Sequence, residues 1–139
     1  MQPSSGKRGG VRAIDTNIVV RYLTLDDGTQ AKAARSTLEA GGIFISLTVC
    51  LETEWVLRSA YQYPAGRIAT GLSIVTRLPG ISVEQPMVVA TAIEWMRTGM
   101  DFADALHLAM AEGCTAFISF DKKLAKTAEG LSSIPVQTP

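Results

Sequence analysis

The sequence is poor in the side chains that most often bind transition metals or act as nucleophiles. It has two cysteines, Cys50 and Cys114, and one histidine, His107, among 139 residues. Both cysteines lie among apolar neighbours without the paired spacing of a zinc site, so we expect two buried free thiols. A single histidine excludes two-histidine acid–base schemes, and no nucleophile stands in a recognisable elbow. We therefore expect His107 to be an ordinary helix residue.

Long hydrophobic runs are also missing. No run of about 18 apolar residues occurs, so we expect no membrane span and a cytoplasmic protein. The first ten residues are rich in Ser, Gly, Lys and Arg and lack the apolar centre of a signal peptide. Residues 1–10 are therefore predicted to be a disordered tail. Residues 11–139 are predicted to be one globular domain, because the chain is 47% hydrophobic and long enough to bury a core.

The chain has no excess of either charge. Its 13 basic and 13 acidic residues give a net charge of zero, which by itself argues against a nucleic-acid-binding protein. Five acids, however, fall where they could cluster around cations. Without them, 8 acids (13 minus 5) stand against 13 Lys and Arg, and the remaining surface is basic. These five are Asp15, Glu52, Asp101, Asp104 and Asp121.

Short apolar segments alternate with helical patterns along the chain. Strands are predicted at residues 11–14, 43–46, 81–83, 116–120 and 132–136. Helices are predicted at about 18–25, 29–40, 48–61, 65–78, 86–98 and 101–111, with a short one from 122. Because no tight hairpin appears, this order predicts a parallel sheet wrapped by helices. We expect an α/β fold: a three-layer α/β/α sandwich with a central, mostly parallel sheet of four to five short strands.

Helical periodicity separates two acids of the third predicted helix. Glu52 falls on the same side as the apolar Val49 and Val56, so we expect its side chain to face inward. Glu54 points nearly the other way, where it can pair with Arg58 four residues on, and we expect a solvated salt bridge. An inward carboxylate such as Glu52 needs a positive partner, either an arginine or a metal ion.

The other candidate acids lie at predicted strand ends and helix starts. Asp15 follows the first strand, and Asp121 follows the fourth. Asp101 suits the N-cap of the sixth helix, and Asp104 its N3 position. In a parallel sheet, strand ends and the following helix starts share one edge, so these acids and Glu52 can converge in one crevice. Each acid taken alone is explained as readily by a cap or an ion pair.

A cluster of carboxylates indicates a particular chemistry. Carboxylates repel one another unless they are protonated or bridged by cations. Oxygen ligands without His or Cys favour Mg²⁺ or Mn²⁺. Two such ions, about 3.5–4 Å apart, can activate water and stabilise the leaving oxygen of a phosphodiester. The residues alone therefore predict a metal-dependent phosphoryl-transfer site, most simply that of a hydrolase.

Four segments of the chain resemble the motifs of PIN domains. They are Asp15-Thr16-Asn17, Phe44-Ile45-Ser46 together with Glu52 and Trp55-Val56-Leu57, the run from Asp101 to His107, and Ser119-Phe120-Asp121. The likeness covers nearly all of residues 11–139 in the right order and spacing. It is greatest to VapC-type toxins of bacterial toxin–antitoxin pairs. The resemblance implies a Mg²⁺-dependent endoribonuclease, with Mn²⁺ as a substitute, that often cuts transfer RNA, is usually dimeric and is silenced by a cognate antitoxin.

The resemblance also implies roles for individual residues. The catalytic and metal-binding acids would be Asp15, Glu52, Asp104 and Asp121, with Asp101 as an adjacent metal ligand, and Thr16, Asn17 and Ser119 would give polar support. Ser119 stands where the family commonly has Thr, and it keeps the hydroxyl. The tail at residues 1–10 is unusual for the family.

Other functions remain open, and so does the state of assembly. An aspartate-nucleophile phosphatase would use Asp15 but needs a second Asp at position 17, which is Asn17. A PIN-fold protein could also bind or process RNA outside a toxin–antitoxin pair. Finally, the helical segments 31–38 and 52–61 carry more apolar surface than one sheet face would cover, so we expect a homodimer with an isologous interface.

Overall fold

The computed structural model describes residues 10–24 and 28–139. The predicted tail apart from Gly10, and the predicted end of the first helix at Leu25, lie outside the described residues. The elements in chain order are β1 (Arg12–Ala13), α1 (Thr16–Thr24), α2 (Thr29–Ala40), β2 (Ile43–Ile45), α3 (Leu47–Ser59), α4 (Ala65–Thr76), β3 (Ile81–Val83), α5 (Pro86–Arg97), α6 (Phe102–Met110), β4 (Phe117–Ile118), α7 (Lys122–Ala128) and β5 (Val136–Gln137). Every predicted helix and strand has a counterpart here, although most strands are shorter than predicted.

The strands pair in parallel, but in two separate groups. β1, β2 and β3 form a sheet in that order, with Arg12 opposite Ile43 and Phe44 opposite Ser82. β4 and β5 form a second parallel pair, with Phe117 opposite Val136. Helices connect the strands, so the predicted α/β class is confirmed, with a parallel three-stranded sheet at its centre.

The core lies between the three-stranded sheet and its surrounding helices. Ile43 and Ile45 of the central strand β2 are buried, as expected for a short apolar strand covered on both faces. Helix α2 buries Ala31, Ala34 and Leu38, which recur at helical spacing on one face. Burying one such leucine or isoleucine contributes about 1.5–3 kcal/mol.

Two glycine-containing turns meet where the strands β2 and β3 begin. Gly41 ends α2 with φ 77°, and Gly80 precedes β3 with φ 78°. A Cβ atom at Gly80 would lie 2.7 Å from the Cα atom of Gly41, closer than real Cβ atoms come to backbone. The Gly80 carbonyl also accepts a hydrogen bond from the Ile43 N–H at 3.1 Å. Glycine is therefore required here to bring β2 and β3 into register.

The two cysteines differ in exposure. Cys50 on α3 is buried, as predicted. Cys114 is exposed, so the prediction of a buried thiol is wrong there. The reason is that Cys114 lies in the turn after α6, where its N–H bonds to the carbonyl of Ala111 at 2.9 Å, and not in an element that packs on the core. His107 lies on the exposed side of α6, an ordinary helix position as predicted.

In the described part of the chain, none of the helices combines the length and the apolar character that crossing a membrane requires.

Candidate active site

The first candidate acid, Asp15, caps the helix that follows it. It is exposed and lies between β1 and α1, and its Oδ1 accepts a long hydrogen bond of 3.4 Å from the Ile18 N–H. Thr16 is the first residue of α1 and is buried, whereas Asn17 is exposed on the same turn. Asp15 therefore lies just after the carboxyl end of β1, as predicted.

Thr16 joins this segment to α3. Its Oγ1 donates a hydrogen bond of 2.5 Å to Oε1 of Glu52. A hydroxyl bonded to a carboxylate is a strong, charge-assisted contact. It fixes the Glu52 side chain beside the Asp15–Thr16 segment.

The predicted orientations of the two glutamates on α3 are wrong. Glu52 is exposed, and Glu54 is buried, with a relative exposure of 3%. Glu54 does pair with Arg58 as predicted, since Arg58 Nε lies 2.7 Å from Oε2 and Nη2 lies 3.4 Å from Oε1. The pair is not solvated on both sides, because only the Arg58 side chain is open to solvent, at 51%.

The physical reason is that the buried stripe of α3 differs from the predicted one. Its buried residues are Cys50, Thr53, Glu54 and Leu57, spaced i, i+3, i+4, i+7. The more apolar stripe that contains Val49 and Val56 is only half-buried. Because α3 contacts α1, α4 and α6, it is covered on more than one side, and periodicity alone cannot tell which polar residue is enclosed.

Three aspartates line one cavity of about 340 Å³, which we call the acidic cavity. They are Asp101 and Asp104 from the start of α6 and Asp121 from the start of α7. Asp101 caps α6 by accepting a hydrogen bond of 3.2 Å from the Asp104 N–H, so the predicted N-cap and N3 positions are confirmed. Asp121 caps α7 through the Leu124 N–H at 3.0 Å. Two adjacent caps thus bring three carboxylates to the same cavity.

Ser119 supports the position of Asp121. Its Oγ accepts a hydrogen bond of 3.0 Å from the Asp121 N–H. The hydroxyl therefore fixes the backbone of Asp121 as the chain leaves β4, a role that either Ser or Thr could fill.

The electrostatics of the acidic cavity are those of crowded like charges. Burial raises the pKa of Asp104 above its usual value, and the negative charges of Asp101 and Asp121 raise it further, while His107 acts in the opposite direction. Arg58 also lines this cavity. Its own pKa is raised by the hydrogen bond and charge of Glu54 and by the charge of Asp101. A cation bound here would relieve the repulsion.

A second, more open cavity of about 580 Å³ lies on the outer side of α3, and we call it the α3 groove. Its lining residues are Thr48, Leu51, Glu52, Glu54, Trp55, Arg58 and Ala103. Glu54 and Arg58 line both this groove and the acidic cavity. Ala103 lies between Asp101 and Asp104 in the chain, so the α3 groove and the acidic cavity are neighbours.

The structure thus brings the predicted acids together as two groups. One is the Asp15–Thr16 segment with Glu52, and the other is Asp101, Asp104 and Asp121. Asp15, although described, lines neither cavity. The expectation that the acids lie at the edge of one sheet is wrong, because β4, which precedes Asp121, pairs with β5 and not with the three-stranded sheet.

Two carboxylates near these groups were not predicted as part of the site. One is Glu54, whose pairing with Arg58 was predicted but whose burial was not. The other is Glu84, which follows β3 and whose Oε1 accepts a hydrogen bond of 2.9 Å from the Leu47 N–H at the start of α3. Its position directly after a strand, like that of Asp15 and Asp121, was the signal that could have identified it. Glu84 also lies close enough to affect Cys50.

The buried cysteine is unsuited to nucleophilic chemistry. Burial, together with the negative charge of Glu84, raises the pKa of the Cys50 thiol to about 12. The thiolate is the reactive form of cysteine, and it is scarcely populated near neutral pH with such a pKa. Cys50 is therefore not a candidate nucleophile.

The donor set suits a hard divalent cation. Carboxylate oxygens without thiolate or imidazole favour Mg²⁺ or Mn²⁺, and three aspartates line the acidic cavity together with Arg58 and Lys123. Within residues 10–24 and 28–139, no three His, Cys, Asp or Glu side chains are already arranged as a group that could hold a metal ion. The residue types nevertheless fit such an ion.

Comparison with known families decides the class of protein. The sequence profile of the PIN domain family matches residues 13–130, a range that contains every candidate acid. The chain belongs to the PIN domain family. PIN domains are in general nucleases that act on RNA, and they usually use divalent metal ions. No curated protein and no solved structure matches this PIN domain.

Proposed function

We propose that this PIN domain is a Mg²⁺-dependent endoribonuclease toxin of the VapC type, neutralised by a cognate antitoxin. The family match over residues 13–130 supports the nuclease activity. The observation that supports the cation dependence is the acidic cavity, where Asp101, Asp104 and Asp121 come together; burial, and then the charges of Asp101 and Asp121, raise the pKa of Asp104. Carboxylates that repel one another favour the binding of a cation between them.

The proposed site uses both groups of acids. Asp15, Glu52, Asp104 and Asp121 would hold the ion, with Asp101 beside them. When bound, a divalent cation activates water and stabilises the leaving oxygen of the phosphodiester. Thr16 would keep the Glu52 carboxylate in place through its hydrogen bond of 2.5 Å. The remaining basic residues would attract the RNA backbone.

The metal-dependent activity is tested with purified protein and end-labelled RNA. We expect internal cleavage with Mg²⁺ or Mn²⁺ and none in excess chelator. Asp15→Asn should lose more than the roughly 10–100-fold that is typical of changes outside the ligand shell. Chelator-resistant cleavage, or an Asp15→Asn variant that cuts at the wild-type rate, would contradict the proposal.

The toxin assignment rests on the resemblance of the whole chain, and of the stretch from Asp15 to Tyr22, to VapC-type toxins. Expression of the wild-type protein should arrest bacterial growth, and expression of Asp104→Asn should not. A small gene immediately upstream should restore growth when it is co-expressed. A wild-type protein that cleaves RNA without affecting growth would instead favour an RNA-processing PIN domain outside a toxin–antitoxin pair.

We further propose a homodimer. The apolar residues Ala31, Ala34 and Leu38 of α2 are buried within the monomer, so they do not supply the interface. Exposed apolar side chains elsewhere include Ile74 on α4 and Met87 on α5. Light scattering at micromolar concentration should give twice the monomer mass of 14.8 kDa, and a monomer alone would contradict the dimer.

A further inference from the structure

The outer face of α3 exposes a large aromatic side chain beside the proposed site. Trp55 has a relative exposure of 56%, although it lies one turn from Glu52 and one turn from Arg58. All three side chains line the α3 groove. In the described part of the chain, the other exposed large apolar residues are on α4, α5 and α6 and around β4, not on α3. The exposed Trp55 ring therefore stands between the charged Glu52 and Arg58, with Leu51 one turn before it in the same groove.

Arg58 is held in this groove by a buried carboxylate. Its Nε and Nη2 atoms both contact Glu54, and the short contact is 2.7 Å. Glu54 is 3% exposed, whereas the Arg58 side chain is 51% exposed. A guanidinium fixed on one side and open on the other is preorganised to receive an anion, since less side-chain entropy is lost on binding.

The position of Arg58 connects the two cavities. It lines the α3 groove on one side and the acidic cavity on the other. Arg58 is thus within reach of a ligand in either cavity. The groove, at about 580 Å³, lies within the size range of ligand sites, roughly 300–1,000 Å³.

We infer that the α3 groove binds one unstacked nucleotide of single-stranded RNA, with its base stacked on Trp55 and its phosphate paired with Arg58. This inference deepens the proposed function and rests on it. An exposed aromatic ring next to a cation is the combination that holds single-stranded nucleic acid without sequence readout. RNA is favoured over a protein partner because the groove adjoins the acidic cavity of a PIN domain, and PIN domains are in general nucleases that act on RNA. Exposed tryptophan and arginine are also common in protein interfaces, so the test measures self-association as well. Glu54 acts as a positioning residue for Arg58.

The test measures binding separately from cleavage. The probe is a fluorescein-labelled, mixed-sequence single-stranded RNA, followed by anisotropy in chelator over a range of salt concentrations. Trp55→Ala should weaken binding about 5- to 150-fold, the loss of one base–aromatic stack, and Trp55→Phe should restore part of the affinity. Arg58→Gln should lower the slope of log affinity against log salt by about 0.7, the value for one phosphate contact on a single strand.

A control variant and tryptophan fluorescence test the roles of Arg58 and Trp55 separately. Arg97→Gln removes an arginine that also pairs with a glutamate of its own helix, Glu94 at 3.5 Å, and it should leave the salt slope unchanged. Trp55 and Trp95 are the only tryptophans. In a Trp95→Phe background, stacking on Trp55 should quench the remaining tryptophan fluorescence as RNA is added. Circular dichroism checks that each variant is folded, and Trp55→Ala remains informative if Arg58→Gln is not.

The outcomes separate this inference from the proposed function. If wild-type protein cleaves RNA but the Trp55 and Arg58 variants bind and cut like wild type, the inference is wrong and the nuclease assignment stands. If binding depends on Trp55 but Mg²⁺ supports no cleavage, the nucleotide site stands and the nuclease assignment fails. If Trp55→Ala alters self-association and leaves RNA affinity unchanged, the α3 groove is a protein interface, and the inference is overturned.

Discussion

Asp121 allows the role of the acidic cavity to be separated from the role of a helix cap. Its Oδ1 caps α7 by accepting the Leu124 N–H at 3.0 Å, and its negative charge raises the pKa of Asp104. Asp121→Asn keeps an oxygen for the cap and removes the charge. Asp121→Ala removes both. The two variants therefore differ by the cap alone.

The expected magnitudes follow from these contacts. Asn and Asp are about equally good N-caps, whereas replacing either with Ala costs about 1 kcal/mol. In chelator, Asp121→Asn should be more stable than wild type, because repulsion with Asp104 is removed. Asp121→Ala should be about 1 kcal/mol less stable than Asp121→Asn. Mg²⁺ should stabilise wild type by RT ln(1 + [L]/Kd), or about 2.7 kcal/mol at a hundredfold excess over Kd, and should stabilise Asp121→Asn less.

Thermal melts of the three proteins, in chelator and at several Mg²⁺ concentrations, measure these differences. Glu112→Gln is the control, since Glu112 is an exposed acid in the turn after α6 and its loss changes the net charge by the same amount. An Asp121→Asn variant less stable than wild type in chelator would contradict the proposed repulsion between Asp121 and Asp104. That result would mean that Asp121 serves a structural ion pair whose cation is left without its partner.

Three further predictions follow from individual contacts. The pKa of Asp104 is raised on folding, so the folded, metal-free protein binds its proton more tightly than the unfolded chain does. The free energy of unfolding should therefore fall as pH rises from the ordinary pKa of 3.8 through the raised pKa. In urea melts at several pH values, Asp104→Asn should show a smaller change of this free energy with pH. Arg58→Met should lower the free energy of unfolding in urea melts by about 2–3 kcal/mol. This is below the roughly 3–5 kcal/mol for breaking fully buried pairs, because the Arg58 side chain is half exposed. The double variant Arg58→Met, Glu54→Met should recover most of that loss, because it leaves no buried carboxylate without a partner. A thiol reagent should modify Cys114 at once and Cys50 only on unfolding, and two fast thiols in native protein would contradict the burial of Cys50.

The helix caps could be predicted because they depend on neighbours in the sequence. Asp101 bonds to the N–H of Asp104, and Asp121 to that of Leu124, each three residues on. Any acid that directly precedes an apolar helical pattern can make this contact, whatever the rest of the fold. The predicted N-cap Asp101 and the predicted N3 residue Asp104 are therefore both confirmed, and Asp121, predicted to follow a strand, also proves to cap a helix.

The orientation of the acids on α3 could not be predicted in the same way. Periodicity finds the more apolar side of a helix, and on α3 that side contains Val49 and Val56. The side that is enclosed holds Glu54, whose charge is compensated by Arg58. Which side is enclosed depends on contacts with α1, α4 and α6, and these join residues far apart in the chain.

Strand pairing was the other feature beyond local reasoning. Alternation and composition identify strands, but two residues such as Phe117 and Ile118 carry too little pattern to select a partner. The pairing of β4 with β5 places the Asp121 segment outside the three-stranded sheet. Likewise, the bond from Thr16 to Glu52 spans 36 residues and becomes visible only when α1 and α3 pack together.

The central claim is that the carboxylates at this site cleave RNA with a divalent cation. The most direct test compares single-turnover rates of internal RNA cleavage in Mg²⁺ for wild type, Asp104→Asn and the control Glu112→Gln. We expect Asp104→Asn to lose more than about 100-fold in rate, beyond what changes outside the ligand shell cost, and Glu112→Gln to cleave at the wild-type rate. Equal rates for all three proteins would contradict it.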